Sequence, residues 1–360
     1  MDSEIFQAYQ NRSQTHHQAL SQTQGRFLFI SYARLGVFLI GGVLAYYLFG
    51  IDPVFGILGG AVAFVAFLYL IKIHSDIVHK REHLKQLILI NEKEMKGLQG
   101  DREGFIEGEE FVNPQHDFSF DLDIFGKNSI FQLLNRTGTI LGQKELVHQL
   151  EFPQQDQEEI LLRQKAIAEL GKEIEWNLEF EATAKDNDES FDDTKAIRWC
   201  VDHPLYFSTH SLFKVLIWLL PALMAITLGL WLTNYIPING QTLFGDFRFP
   251  LLIPLGIGVI QLSIAGFNLS RTNEQQAQVG QKSRMLRKYG DLLRLIEEKD
   301  FQAELLKEYK GYLSAEGKQA SEAFNELAEI AYSLDQRLNI VMGLVLNATA
   351  MWDVRQMIRL

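Results

Sequence analysis

The sequence predicts a mainly α-helical, multi-span membrane protein: four transmembrane helices in two hairpins, with a helical bundle in the cytoplasm. Charge distribution predicts the spans. From Leu35 to Ile71 the only formal charge is Asp52, and from Val215 to Ser270 the only ones are Asp246 and Arg248. Each stretch is long enough for two helices of about 20 apolar residues, the length that crosses about 30 Å of hydrocarbon. Overall composition predicts the rest: across 360 residues, 47% are hydrophobic and 22% charged, which excludes a disordered or low-complexity class.

The first hairpin pairs Arg34–Phe49, extended backwards through apolar Phe27–Ala33, with Val54–Ile71. Gly50-Ile51-Asp52-Pro53 supplies the reversal, because Pro and Asp favour turns. The second pairs Leu212–Thr233 with Leu251–Leu269 across a loop holding Pro237, Asn239, Gly240 and Pro250. Glycines inside the spans, Gly41, Gly59 and Gly258 among them, would weaken a soluble helix, but in a bilayer they permit close helix approach. Trp218, Trp231 and Tyr235 lie near the ends of the third span, where an aromatic belt is expected. No small-residue cleavage site closes the first run, so it reads as an anchor and not a removable signal.

Basic residues next to span ends stay cytoplasmic. Lys72, Lys80, Arg81 and Lys85 follow the second span, and Arg271, Lys282, Arg284, Arg287 and Lys288 follow the fourth. The loops inside the hairpins carry one base, Arg248. Both hairpins are therefore expected to dip out and back, leaving the N-terminus, the middle segment and the C-terminus in the cytoplasm.

The expected organisation runs in chain order. Residues 1–26 form a leader helix ending near Gly25, 27–72 the first hairpin, and 73–110 a juxtamembrane helix and linker broken by Gly97, Gly100, Gly104 and Gly108. Residues 111–210 form a soluble segment, 211–270 the second hairpin, and 271–360 two long helices over Glu274–Tyr312 and Ser321–Asn347 with only short interruptions. Within the soluble segment, Phe118, Phe120, Leu122 and Ile124 alternate with polar residues, predicting one half-buried strand ending at Gly126. Ile130 then begins a helix capped by Asn128 or Ser129, Leu141–Leu150 forms a second, and Pro153 with Asp156 opens a third running to Ala184. This middle part is the most acidic: 24 acids against 10 bases over residues 101–202, in a chain of net charge −11. Such a field repels phosphates and argues against non-specific DNA affinity there.

Residue patterns for chemistry are sparse. No G-x-x-x-x-G-K-[ST] string occurs; Gly126-Lys127-Asn128-Ser129 and Gly317-Lys318-Gln319 do not build a phosphate cradle. His79-Lys80-Arg81-Glu82-His83 matches H-x-x-E-H in form, but flanking bases oppose a dication and no third ligand is evident. Asp186–Asp193 lacks calcium-loop spacing and reads as a solvated linker. Cys200, the single cysteine, excludes an intramolecular disulfide and reads as a structural thiol. Hence no catalytic, cofactor-binding or metal-binding residue is assigned. The spans hold no acid or base away from their edges, which disfavours a transporter or channel.

One string does point to ancestry. Asp121-Leu122-Asp123-Ile124-Phe125-Gly126-Lys127-Asn128-Ser129-Ile130-Phe131-Gln132-Leu133-Leu134-Asn135-Arg136-Thr137-Gly138-Thr139 resembles the core-domain opening of the MutS family of DNA mismatch repair ATPases, and in particular its membrane-anchored bacterial branch. Gly142, Leu146 and Leu150 match the next helix, Pro153 the following turn, and Arg163-Gln164-Lys165-Ala166-Ile167-Ala168-Glu169-Leu170 a later family helix. The family-motif positions are Asp121, Asp123, Phe125, Gly126, Phe131, Asn135, Arg136, Thr137, Arg163, Gln164 and Glu169, each expected to pack or cap. The resemblance implies that 111–210 is a MutS-like core segment, that the second hairpin, 211–270, is inserted in the core, and that 271–360 is of lever type. It also implies an ATPase domain, with ATP and magnesium, after Trp352–Leu360; none of that cofactor chemistry belongs to this chain. No mismatch-recognition domain with a Phe-x-Glu wedge precedes the core. The expected partners are the lipid bilayer, DNA through a full-length homodimer, or an unidentified protein.

Overall fold

The computed structural model describes residues 2–185, 211–235, 250–267, 283–314, 319–335 and 340–359. Asp186–Asp193, Cys200, the loop residues Pro237, Asn239 and Gly240, and the start of the helix expected from Glu274 lie outside them. The chain divides into two compact units. The first is Met1–Phe191 with Asp300–Tyr309; the second is Asp192–Lys299 with Lys310–Leu360.

The first unit is built on two long helices, α1 (Asp2–Ile51) and α2 (Pro53–Leu98). Asp52 makes the reversal: its N–H donates to the Leu48 carbonyl at 2.9 Å and its carbonyl accepts from Gly56 N at 3.1 Å. Pro53 occupies the first position of α2, where a missing N–H costs nothing. Side by side the helices leave no room for larger residues, since a Cβ on Gly41 would lie 2.6 Å from the Ala63 Cβ. Their outer faces carry Phe29, Tyr32, Ile40, Val43, Tyr46 and Val62, each at least 70% exposed. Such a surface is costly in water and ordinary in hydrocarbon.

At 50 residues and about 1.5 Å per residue, α1 extends well beyond a bilayer. The expected stop at Gly25 does not occur. A helical glycine costs about 1 kcal/mol, and packing of α1 along α2 on both sides of it outweighs that. Outside the apolar zone, Leu84, Leu87 and Ile90 of α2 bury against Leu178 and Ala182, with Tyr9, Ala19 and Leu20 of α1 closing the cluster.

Beyond Leu98 the chain turns at Gly100 (φ 88°) and builds a small helical cap. A 3₁₀ turn at Glu109–Phe111 is followed by α3 (Ile130–Leu134), α4 (Ile140–Glu151), α5 (Gln157–Leu170) and α6 (Ile174–Ala184). Ser129, Thr139 and Asp156 cap α3, α4 and α5 by accepting from backbone N–H groups. The single helix expected from Pro153 to Ala184 is broken at Gly171–Glu173, where the Asn177 amide donates to the Leu170 carbonyl at 2.6 Å.

The strand expected over Phe118–Ile124 is absent, and no strand occurs among the described residues. Successive turns replace it: Leu122 N donates to the Phe118 carbonyl, Asp123 N to Phe120, and Ile124 N to Ser119. Alternation supports a strand only beside a second one to pair with. Here the backbone satisfies itself locally, and Asp123 takes a left-handed conformation (φ 49°).

The second unit contains α7 (Ser211–Tyr235), α8 (Leu252–Phe267), α9 (Ser283–Glu298), α11 (Ala320–Asp335), α12 (Ile340–Ala350) and α13 (Trp352–Arg359). The intervening α10 (Glu304–Gly311) belongs largely to the first unit. α9 and α11 pair through buried Met285, Leu286, Ala328 and Ala331. A second core joins Ile217 of α7, Ile330 of α11, Met351 and Val354. The short interruption expected in the helix through Tyr312 falls at 299–303, where the N–H groups of Gln302 and Ala303, just ahead of α10, donate to the Glu169 carboxylate. Among the described residues, three helices, α1, α2 and α7, are long and apolar enough to cross a membrane. The expected fourth, α8, is apolar but has 16 residues, about 24 Å.

Candidate functional site

The family-motif residues gather in the cap of the first unit, around α3. Phe131 is the centre: it is 0% exposed, enclosed by Ile124, Phe125 and Val147, with Phe111 edge-on at 5.7 Å. A Cβ on Gly108 would stand 2.6 Å from its ring, so only glycine fits there (φ 71°). Gly126 (φ 103°) donates its N–H to the Glu107 carbonyl at 2.8 Å, joining the motif to the preceding linker.

Gln132, within the motif string but not singled out from the sequence, ties three stretches of backbone together. Its Oε1 accepts from Asn128 N at 2.8 Å, and its Nε2 donates to the carbonyls of Phe105 (3.1 Å) and Arg102 (3.3 Å). The spacing Ser129-x-x-Gln132 before an apolar turn is a capping-box signal, the one sequence clue to this role. Asn135 shapes the exit from α3: its Oδ1 accepts from Thr137 N at 3.0 Å and Thr137 Oγ1 at 2.6 Å.

Arg136 then reaches back to α2. Its guanidinium makes a two-pronged pair with Glu94, donates to the Leu133 and Asn135 carbonyls at 3.0 Å each, and lies 4.3 Å from the Phe105 ring. Lys93 of α2 sits against the same ring, also at 4.3 Å. Burial, and then the nearby Lys185 charge, pull the Lys93 amine down to about 8.

Not every motif residue joins this cluster. Asp121 and Asp123 are exposed on the turn before it. On α5, Arg163 pairs with Gln149 of α4, Gln164 is exposed, and Glu169 holds the backbone N–H groups of Gln302 and Ala303 ahead of α10. Phe301 is buried beside them, edge-on to Trp176 at 5.8 Å.

The H-x-x-E-H string is divided. Glu82 engages Lys85 at 2.9 Å and Arg81 at 3.1 Å, while His83 faces Glu179 of α6 at 2.7 Å and His79 is exposed. Hydrogen bonding from Lys85 lowers the Glu82 carboxyl, and His83 does the same to Glu179. Among the described residues no group of three or more His, Cys, Asp or Glu is placed to hold a metal ion. The arrangement positions and couples helices. No family model, curated protein or solved structure matches this chain.

Proposed function

We propose that the chain is the membrane-anchored core and lever module of a MutS-like protein, coupling a downstream ATPase to DNA or a partner at the bacterial inner membrane. The ordered motif string supports the family. The observation that carries the coupling is the unbroken run of α2 from its apolar span to Glu94, whose carboxylate grips Arg136 in the motif loop. A displacement of the cap then reaches the bilayer through one rigid helix, and the reverse. In this reading the four spans leave the N-terminus, the cap and the C-terminus cytoplasmic. The chain itself is not an enzyme, and nucleotide chemistry belongs to the domain that follows. The test is the product of the whole gene in nanodiscs: nucleotide hydrolysis stimulated by DNA or by a co-purifying partner, and uncoupled by Arg136→Met, supports the proposal. A coding sequence with no P-loop domain after Leu360 and none in a neighbouring gene overturns it.

A second reading, a membrane scaffold with no DNA role, is favoured by one observation. α3 turns Ile130, Leu133 and Leu134 outwards, each about half exposed, beside the exposed acids Asp121 and Asp123. Negligible DNA binding at low salt together with a stoichiometric protein partner selects this reading.

A further inference from the structure

We infer that α12 (Ile340–Ala350) lies in the hydrocarbon layer beside α7 and α8, as a short intramembrane helix and not part of a cytoplasmic lever. The inference rests on the membrane reading of α7 and α8.

Three observations carry it. First, the contact is at mid-depth. Gly258, near the middle of α8, has the Ala348 carbonyl 3.5 Å and the Met224 Cε 3.7 Å from where a Cβ would be. Met224 is near the middle of α7, and Gln261 of α8, 0% exposed, donates its amide to the Met224 sulfur at 3.7 Å. Whatever layer holds the centres of α7 and α8 therefore holds Ala348.

Second, α12 has the composition of that layer. From Leu338 to Trp352 there is no charged residue, and Leu344 and Val345 turn outward at 55% and 53% exposure.

Third, its polar side chains are satisfied without water, as hydrocarbon requires. Thr349 Oγ1 donates to the Val345 carbonyl at 2.8 Å, although its side of the helix is exposed. Asn347 donates to the Gly343 carbonyl and accepts from Asp353 N, both at 3.0 Å. Ser263 of α8 and Thr227 of α7 use the same device.

The emergence point is also marked. Met351 takes a left-handed conformation (φ 47°) and turns the chain into the polar helix α13, whose Arg355 lies 4.4 Å from the Trp218 ring. Trp218 is six residues, or about 9 Å, from Met224 along α7. That height is still a few ångströms inside the boundary of a layer about 30 Å thick, a gap the long Arg355 side chain can span by reaching towards the headgroups along the tryptophan.

The test uses the whole chain in phosphatidylcholine–phosphatidylglycerol nanodiscs, with Cys200→Ser as background. Spin labels at Leu344→Cys and Val345→Cys are compared with Val259→Cys on α8 and Glu322→Cys on α11, reading collisions with oxygen and with a water-soluble nickel chelate. The expected result is loss of nickel collisions with oxygen collisions retained at 344 and 345, as at 259. Nickel accessibility at both positions, with 259 still shielded, overturns the inference alone. Nickel accessibility at 259 as well overturns it together with the membrane reading. Shielding of 344 and 345 from both reagents means that protein covers this face, and also overturns it.

Discussion

Arg136 and Glu94 are 42 residues apart in sequence and form a two-pronged ion pair, with side chains 32% and 16% exposed, between the loop after α3 and the far end of α2. Glu94→Gln keeps the shape but removes the charge. It should cost about 1.5–3 kcal/mol, the range for a hydrogen bond to a charged group. Arg136→Met should cost more, because the Leu133 and Asn135 carbonyls lose their donor as well. The double variant should cost less than the sum, as for residues in contact. Thermal unfolding of the detergent-solubilised chain measures all three, and strict additivity would show that the pair is not coupled.

Gln132 offers a sharper test of the cap. Gln132→Ala abandons one donor and two acceptors, the Phe105 carbonyl in a buried bond, and should lower stability by about 1–3 kcal/mol. Gln132→Glu keeps the acceptor for Asn128 N but turns a carboxylate towards the Phe105 and Arg102 carbonyls. Its defect should be largest at neutral pH and shrink as acid protonates it, whereas the alanine defect should not vary with pH.

Lys93 predicts an alkaline trend. Its folded value, about 8, lies below the 10.5 of the free amine, so the unfolded chain binds more protons between those values. Stability therefore rises with pH through that window and is flat on either side. Lys93→Met should remove that rise and stabilise the protein at pH 7. A melting temperature that follows the same course from pH 7 to 10.5 in both proteins would contradict this account.

Gly41 governs the first hairpin. A β-carbon at this position would stand only 2.6 Å from the Ala63 Cβ. Gly41→Val therefore forces α1 and α2 apart, while Gly42→Val, where nothing lies within 4 Å, should be tolerated. Disulfide cross-linking between cysteines placed at Ala45 and Gly60, close across the hairpin, reads the separation. Efficient cross-linking in the Gly41→Val background would exclude the close packing.

Features that depend on near neighbours in sequence were legible in advance. Charge-free runs mark α1, α2 and α7 because hydrocarbon selects on composition alone, and Ser129 and Asp156 mark helix starts because a cap acts within three residues. Other features needed the fold. The alternation of Phe118–Ile124 is the pattern of a strand, yet without a second strand to pair with it became turns. Glu169 receives the N–H groups of Gln302 and Ala303 ahead of α10, more than a hundred residues away. The grip of Glu94 on Arg136 and the seating of Ala348 against Gly258 join residues whose spacing obeys no period. By itself, then, the sequence determined which segments are apolar and where capped helices start, since solvation and capping are local. Only the tertiary structure decided which charges meet and which apolar helix lies beside which, because those outcomes depend on three-dimensional packing between distant parts of the chain.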